Sequence, residues 1–209
     1  MQHTLYTILD LGYVSTETAA RVTAQLLDGG ADLLQLRAKN HDATTIRRVA
    51  GEILPLCRAA GVPFILNDFP QLAAELGADG VHIGQDDGPL AHAREVMGPG
   101  KLIGRSTHSL AQARAALAEG FDYIGFGPLF PTPTKPGRPA IGICEIAEME
   151  RKVGARIPAF CIGGIHRGNL PEVLAAGARR VVIVSDLLRA PDVREATRQA
   201  CETLRETLA

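Results

Sequence analysis

The chain has 209 residues, 46% of them hydrophobic, and a formal net charge of -1. That length can bury one good core, and single α/β barrels commonly run to it. The near-neutral balance argues against nucleic acid or an acidic membrane surface as the main partner, and no apolar run reaches the roughly 18 residues of a spanning helix.

The start, Met1-Gln2-His3-Thr4-Leu5-Tyr6, lacks the basic and long apolar regions of a signal peptide. The cysteines (Cys57, Cys144, Cys161, Cys201) are scattered and form no CxxC pair. A reduced, cytoplasmic setting with idle thiols and no zinc site is the expectation.

Along the chain, short apolar runs alternate with helical patterns. A strand is predicted over 5–9 and a helix over 16–27. Strand 33–36 precedes helix 43–59, and strand 64–66 precedes a helix near Leu72. Strand 80–83 leads to helix 89–97, and strand 102–104 to helix 110–119. Strand 123–126 precedes helix 143–153, strand 159–162 precedes helix 169–176, and strand 181–184 precedes the closing helix, 190–208. Gly30, Gly61, Gly77, Gly120 and Gly177 follow helical stretches as stops do. Eight β/α units with buried, parallel-type strands predict an α/β fold, a single (β/α)8 TIM barrel forming one catalytic domain over 1–209. An open doubly wound sheet is the alternative. It usually carries a GxGxxG or P-loop after its first strand, and neither is present.

A barrel places its active site at the C-terminal ends of its strands. The polar residues there are Gln35, Arg37 and Lys39 after strand two, Asn67 and Asp68 after strand three, and Gln85, Asp86 and Asp87 after strand four. Strand five gives Arg105, Ser106, Thr107 and His108, and strand eight gives Ser185 and Asp186. Strand six runs into Gly127-Pro128-Leu129-Phe130-Pro131-Thr132-Pro133-Thr134-Lys135. Its hydroxyls and ammonium are donors suited to phosphate, on backbone whose φ angles proline restricts. Residues 136–141, rich in Pro and Gly, read as a candidate lid. Ile162-Gly163-Gly164-Ile165 lets backbone approach a ligand closely. In barrels the loops after strands seven and eight commonly bind phosphate; a tight turn into the next helix is the other reading.

Asp68, taken alone, reads as a helix N-cap, as does Asp86 or Asp87 before Pro89. Set on adjacent strands beside cations, two carboxylates also suit Mg2+ bridging a polyphosphate. His82, inside a strand, reads as structural, and His108 as a cap or packing residue. No nucleophile motif with a partnered base appears.

Six of these motifs, in order, resemble the thiamine-phosphate synthase family: Gln35-Leu36-Arg37-Ala38-Lys39, Ile65-Leu66-Asn67-Asp68, the Gly77–Asp87 run ending His82-Ile83-Gly84-Gln85-Asp86-Asp87, Ser106-Thr107-His108-Ser109, the Gly127–Lys135 loop and Ile162-Gly163-Gly164-Ile165. The resemblance implies that hydroxymethylpyrimidine pyrophosphate and hydroxyethylthiazole phosphate, whose tautomer it leaves open, are joined into thiamine phosphate with release of pyrophosphate. Gln35, Arg37, Lys39, Asn67, Ser106 and Lys135 would hold the pyrophosphate, with Ser106, Lys135 and Arg37 as catalytic groups. Asp68 and Asp87 would hold Mg2+. Thr132, Thr134, Gly164, Val184 and Ser185 would hold the thiazole phosphate. Partners are phosphorylated small molecules, without nucleic acid or membrane, and the family allows a homo-oligomer.

Two positions depart from the family pattern. Arg105 stands where a small apolar residue is more usual, which resembles the related thiazole tautomerases. Those carry a catalytic histidine at the position of Pro128 and lack the full pyrophosphate set. By alternation with Ser106, Arg105 is expected to face the helices, and an Arg105→Val variant to keep its kinetics. Phe69-Pro70 after Asp68 also departs, and bears on how the next helix begins. A tautomerase, or a phosphate sensor on a degenerate barrel, are the competing functions.

Overall fold

In a parallel sheet covered on both faces, strands read as continuous apolar runs. Each predicted run is a strand in the computed structural model, which describes residues 4–132 and 139–208. The strands are β1 (Leu5–Asp10), β2 (Leu33–Arg37), β3 (Phe64–Asn67), β4 (Gly80–Ile83), β5 (Leu102–Thr107), β6 (Tyr123–Phe126), β7 (Ala159–Cys161) and β8 (Val181–Ile183). They form a closed parallel barrel in sequence order, with β1 pairing both β2 and β8. The helices are α1 (Ala19–Asp28), α2 (Ala43–Ala60), α3 (Pro70–Leu76), α4 (Leu90–Met97), α5 (Leu110–Glu119), α6 (Ile146–Met149), α7 (Leu170–Ala175), α8 (Ser185–Leu188) and α9 (Val193–Leu208). No helix among the described residues is long and apolar enough to cross a membrane.

Several strands outrun their apolar stretch. Pairing continues through Asp10 opposite Arg37 and through Ser106 and Thr107 opposite Gly125 and Phe126. Ladder hydrogen bonds belong to the backbone, so polar side chains do not end a strand when its neighbour continues. The predicted helix over 143–153 is instead the short α6 followed by a π-helical turn, Glu150–Gly154. The one-turn α8 had no separate sequence signal.

A repeated device organises the bottom of the barrel. Gly30-Ala31-Asp32, Gly77-Ala78-Asp79 and Gly120-Phe121-Asp122 each place a positive-φ glycine, a buried apolar residue and an aspartate before an even-numbered strand. Each aspartate accepts from the first N–H groups of the preceding odd strand: Asp32 from Leu5 (3.0 Å), Asp79 from Phe64 (2.9 Å) and Asp122 from Ile103 (2.7 Å). The carboxylate thus satisfies strand-start donors and ties neighbouring strands together. The corresponding Gly177-Ala178-Arg179 lacks the aspartate, and Glu150 accepts from the Arg179 N–H.

Inside, Tyr6, Tyr123 and Phe160 meet edge to face, with centroids 5.2–6.0 Å apart. Gly104 lies opposite Tyr123, and a Cβ there would come within 2.1 Å of its ring. Cys57, Cys161 and Cys201 are buried, and burial pushes the Cys57 thiol up to about 12. Cys144 is exposed.

Glu150 gives a pH test of this packing. Burial raises its carboxyl above the ordinary value, only partly offset by the Arg179 N–H and by the charges of Arg180 and Arg179. A raised carboxyl stabilises the fold below its unfolded pKa, and that contribution is lost as pH rises through the folded value. Glu150→Gln is therefore expected to melt above the parent chain near pH 8, with the gap closing toward about pH 4. Calorimetry at both ends checks this; a pH-independent gap would remove the electrostatic explanation.

Candidate active site

Alternation along the strands sends one set of side chains into the barrel. Near the C-terminal ends that set includes Gln35 and Arg37 on β2, Asn67 on β3, His82 on β4 and Ser106 on β5. With Thr132, Gly164, Val184 and Ser185 from the loops after β6, β7 and β8, they line one cleft. The pyrophosphate and thiazole-phosphate sets read from the sequence thus converge, apart from Lys39, which lies to one side, and Thr134 and Lys135, which lie outside the described residues. Residues 136–138 of the candidate lid also lie outside them.

Asp68 is not a helix cap. The N-cap position of α3 is Phe69, with no side-chain cap bond. Asp68 itself has φ +71°, a left-handed conformation that costs a non-glycine residue on the order of 1 kcal/mol. Its N–H donates to the His82 carbonyl (2.9 Å), and its carboxylate pairs with Lys39 Nζ at 3.2 Å. Burial and the charge of Asp87 raise the Asp68 carboxyl, while Lys39 pulls it down. Strain, burial and like charge therefore meet at one carboxylate, the arrangement expected of a functional group rather than a cap. Asp87 is not a cap either. The N-cap of α4 is Pro89, and Asp87 Oδ2 instead accepts from the Gly84 N–H at 2.6 Å.

Arg37 is held from β1. Its Nη1 lies 2.5 Å from Asp10 Oδ2, and both side chains are largely buried, 13% and 3% exposed. The other Asp10 oxygen accepts from the Gly12 N–H at 2.8 Å. Asp10 directly follows the first apolar run, the same signal that marked the other strand ends, and was the residue that reading missed.

A hydrogen-bonded chain crosses the barrel floor. Gln35 Nε2 donates to Tyr6 Oη. Tyr6 Oη lies 3.3 Å from Tyr123 Oη, which lies 3.2 Å from His82 Nδ1, and His82 Nε2 lies 3.0 Å from Ser106 Oγ. An amide nitrogen can only donate, so Tyr6 accepts from Gln35. The two ring nitrogens of His82 thus join the Tyr123 hydroxyl to the Ser106 hydroxyl. His82, read as structural, is buried and hydrogen-bonds the Ser106 hydroxyl of the cleft. Its partners, Tyr123 and Ser106, come from β6 and β5, which no local pattern reveals.

The glycines after β7 serve the loop as well as the cleft. A Cβ on Gly163 would lie 2.4 Å from Pro128, and one on Gly164 would lie 2.7 Å from Phe130. Leu129 and Phe130 donate their N–H groups to the Ile162 and Gly163 carbonyls at 2.9 and 3.0 Å. The close approach read from Gly163-Gly164 is thus made first by the β6 loop. His108 Nδ1 sits 2.5 Å from the Gly127 carbonyl, while Ser109 caps α5. His108 ties β5 to the start of the same loop.

Arg105 points outward, as alternation predicts. Its guanidinium lies 5.2 Å over the Phe121 ring.

A family model described as thiamine monophosphate synthase matches residues 5–187. The chain belongs to that family. A thiamine-phosphate synthase of Thermus thermophilus is 47% identical over 190 residues, covering 91% of each chain. One from Methanocella arvoryzae is 42% identical over 199 residues, covering 95% of this chain and 93% of its own. A solved thiamine phosphate pyrophosphorylase from Pyrococcus furiosus superimposes with TM-score 0.88 at 32% identity, over 100% of this chain and 98% of that one. Family membership agrees with the resemblance read from the six motifs and with the barrel they were expected to occupy.

Proposed function

We propose that this chain condenses hydroxymethylpyrimidine pyrophosphate with hydroxyethylthiazole phosphate by a dissociative substitution within one catalytic domain, residues 1–209. Family membership makes it a transferase that forms thiamine phosphate. The route rests on one observation: the donor sets for two phosphorylated ligands line a common cleft, with two carboxylates near Lys39 and the end of β3.

In this reading Arg37, Lys39, Asn67 and Ser106 hold the pyrophosphate, joined by Lys135 on sequence grounds. Gln35 is buried with its amide nitrogen engaged by Tyr6, so its carbonyl oxygen is the acceptor left for a ligand. That oxygen suits the exocyclic amine of the pyrimidine, and the second N–H of the amide is a donor for a phosphate oxygen. Thr132, Gly164, Val184 and Ser185, with Thr134, hold the thiazole phosphate.

The pair Asp68 and Asp87 fits Mg2+. Their mutual charge is unfavourable at a buried carboxylate, and a cation relieves it. Among the described residues no three His, Cys, Asp or Glu side chains converge. Two carboxylates completed by phosphate oxygens and water suit Mg2+. When bound, the ion neutralises charge on the leaving pyrophosphate.

The chain's own residues do the rest. As the C–O bond to the pyrimidine methylene breaks, its electron pair leaves with pyrophosphate. Arg37 and the Ser106 hydroxyl stabilise the charge that develops there. The thiazole nitrogen forms the new C–N bond with its lone pair. It carries no proton, so no general base is needed, in keeping with the absence of a nucleophile motif. Barrel walls such as Ile8, Ile162 and Val182 limit water at the electrophilic carbon.

Purified protein given both substrates and Mg2+ is expected to release pyrophosphate, and to release none when either substrate or the metal is withheld. Conversion of a thiazole tautomer without pyrophosphate release would move the chain to the tautomerase reading, and ligand binding without turnover to the sensor.

A further inference from the structure

The turn after β4 carries Asp87, yet little in the turn anchors it. Asp86 and Asp87 are exposed, and Gly88 has φ +101°. The turn closes on itself through the Gly84 N–H to Asp87 Oδ2 bond and through Asp87 N–H to the Gly84 carbonyl (3.3 Å). Its ties to the barrel come from β5. Gln85 Nε2 donates to the Ser106 carbonyl at 2.6 Å. From the outer face, Arg105 Nη1 donates to the Gly88 carbonyl at 2.9 Å and Nη2 to the Gln85 carbonyl at 3.2 Å. The two carbonyls bracket Asp86 and Asp87. The guanidinium is steadied by the Phe121 ring, and Phe121 is buried.

We infer that Arg105 is a positioning residue: it clamps the Gln85–Gly88 turn from outside the barrel and so sets the place of the Asp87 carboxylate. The planar guanidinium holds the two carbonyls at once in a fixed geometry, whereas lysine's single ammonium on a flexible stem replaces it only in part. The expectation that Arg105→Val would keep its kinetics followed from an outward side chain alone. The side chain is outward, but it reaches the turn that bears a site residue. This inference rests on the reading of Asp87 as a ligand for a pyrophosphate-bound cation.

The test uses Mn2+ and inorganic pyrophosphate as probes with the whole chain, comparing Arg105→Met, Arg105→Lys and Asp87→Asn. Arg105→Met keeps the aliphatic stem over Phe121. It is expected to weaken Mn2+ binding in the presence of pyrophosphate about tenfold, the range for groups that orient a metal ligand. The KM for the pyrimidine pyrophosphate should rise by a similar factor, with kcat at saturating metal within about twofold. In the metal-free protein, amide exchange over residues 84–88 should quicken while the barrel strands keep their protection. Arg105→Lys should fall between parent and Arg105→Met. If Asp87→Asn loses Mn2+ while Arg105→Met binds it with parental affinity and parental exchange, the clamp is wrong and the metal reading stands. If Asp87→Asn itself binds like the parent, the metal reading falls, and the role given to Arg105 falls with it.

Discussion

Replacing Asp87 by asparagine is expected to lower kcat/KM for the pyrimidine pyrophosphate by about 10²-fold or more, and to raise the Mg2+ concentration needed for half-maximal rate. Asparagine keeps the shape and can still accept from the Gly84 N–H, so the turn is retained and only the charge is removed. Neutralising charge on a leaving group is worth several kcal/mol, and each 1.36 kcal/mol is a factor of about ten in rate. The same change removes the like charge that raises Asp68, so the folded protein should not lose stability. A Mg2+ titration of the steady-state rate, beside a melting curve, measures both. Parental activity with unchanged Mg2+ dependence would show that the carboxylate holds no cation.

The largest effect on stability is expected from Asp10→Asn. The Asp10 carboxylate is 3% exposed and its Arg37 partner 13%, so neither has much water to fall back on. Removing one member of a buried pair leaves an uncompensated charge and costs about 3 kcal/mol. For a domain of this size that is roughly 6–12 °C in Tm. The amide still accepts from Gly12, so lost charge rather than lost shape accounts for the change. Under the proposed function, pyrophosphate supplies negative charge to the same guanidinium. Saturating Mg2+ and pyrophosphate should therefore raise the Tm of the variant more than that of the parent. Equal melting points without ligand would show that Arg37 does not depend on Asp10.

Much of the architecture was legible without coordinates. Eight apolar runs gave eight strands, and Gly30, Gly61, Gly77, Gly120 and Gly177 all adopt positive φ where helices end. Strands β1, β2, β3 and β5 extend past the last apolar residue into polar ones, while β7 and β8 end one residue before their predicted runs. Arg105, Ser106 and Thr107 all pair with β6, although only Leu102 to Gly104 look like strand. Asp68 and Asp87 were ambiguous between caps and ligands. Both patterns put an aspartate just before a helix, and the N-caps at Phe69 and Pro89 remove only the cap reading.

The sequence by itself determined the barrel and the face on which its chemistry sits. Parallel strands in strict β/α alternation bring all their C-terminal ends to one side, so polar residues at those ends must meet. What it left open is which of those residues touch. The Gln35–Tyr6–Tyr123–His82–Ser106 chain, the Asp10–Arg37 pair and the reach of Arg105 to the Gln85 and Gly88 carbonyls were decided by tertiary structure. Their members are 17 to 117 positions apart. Contact at such separations depends on barrel closure and on register between strands, which local periodicity does not encode.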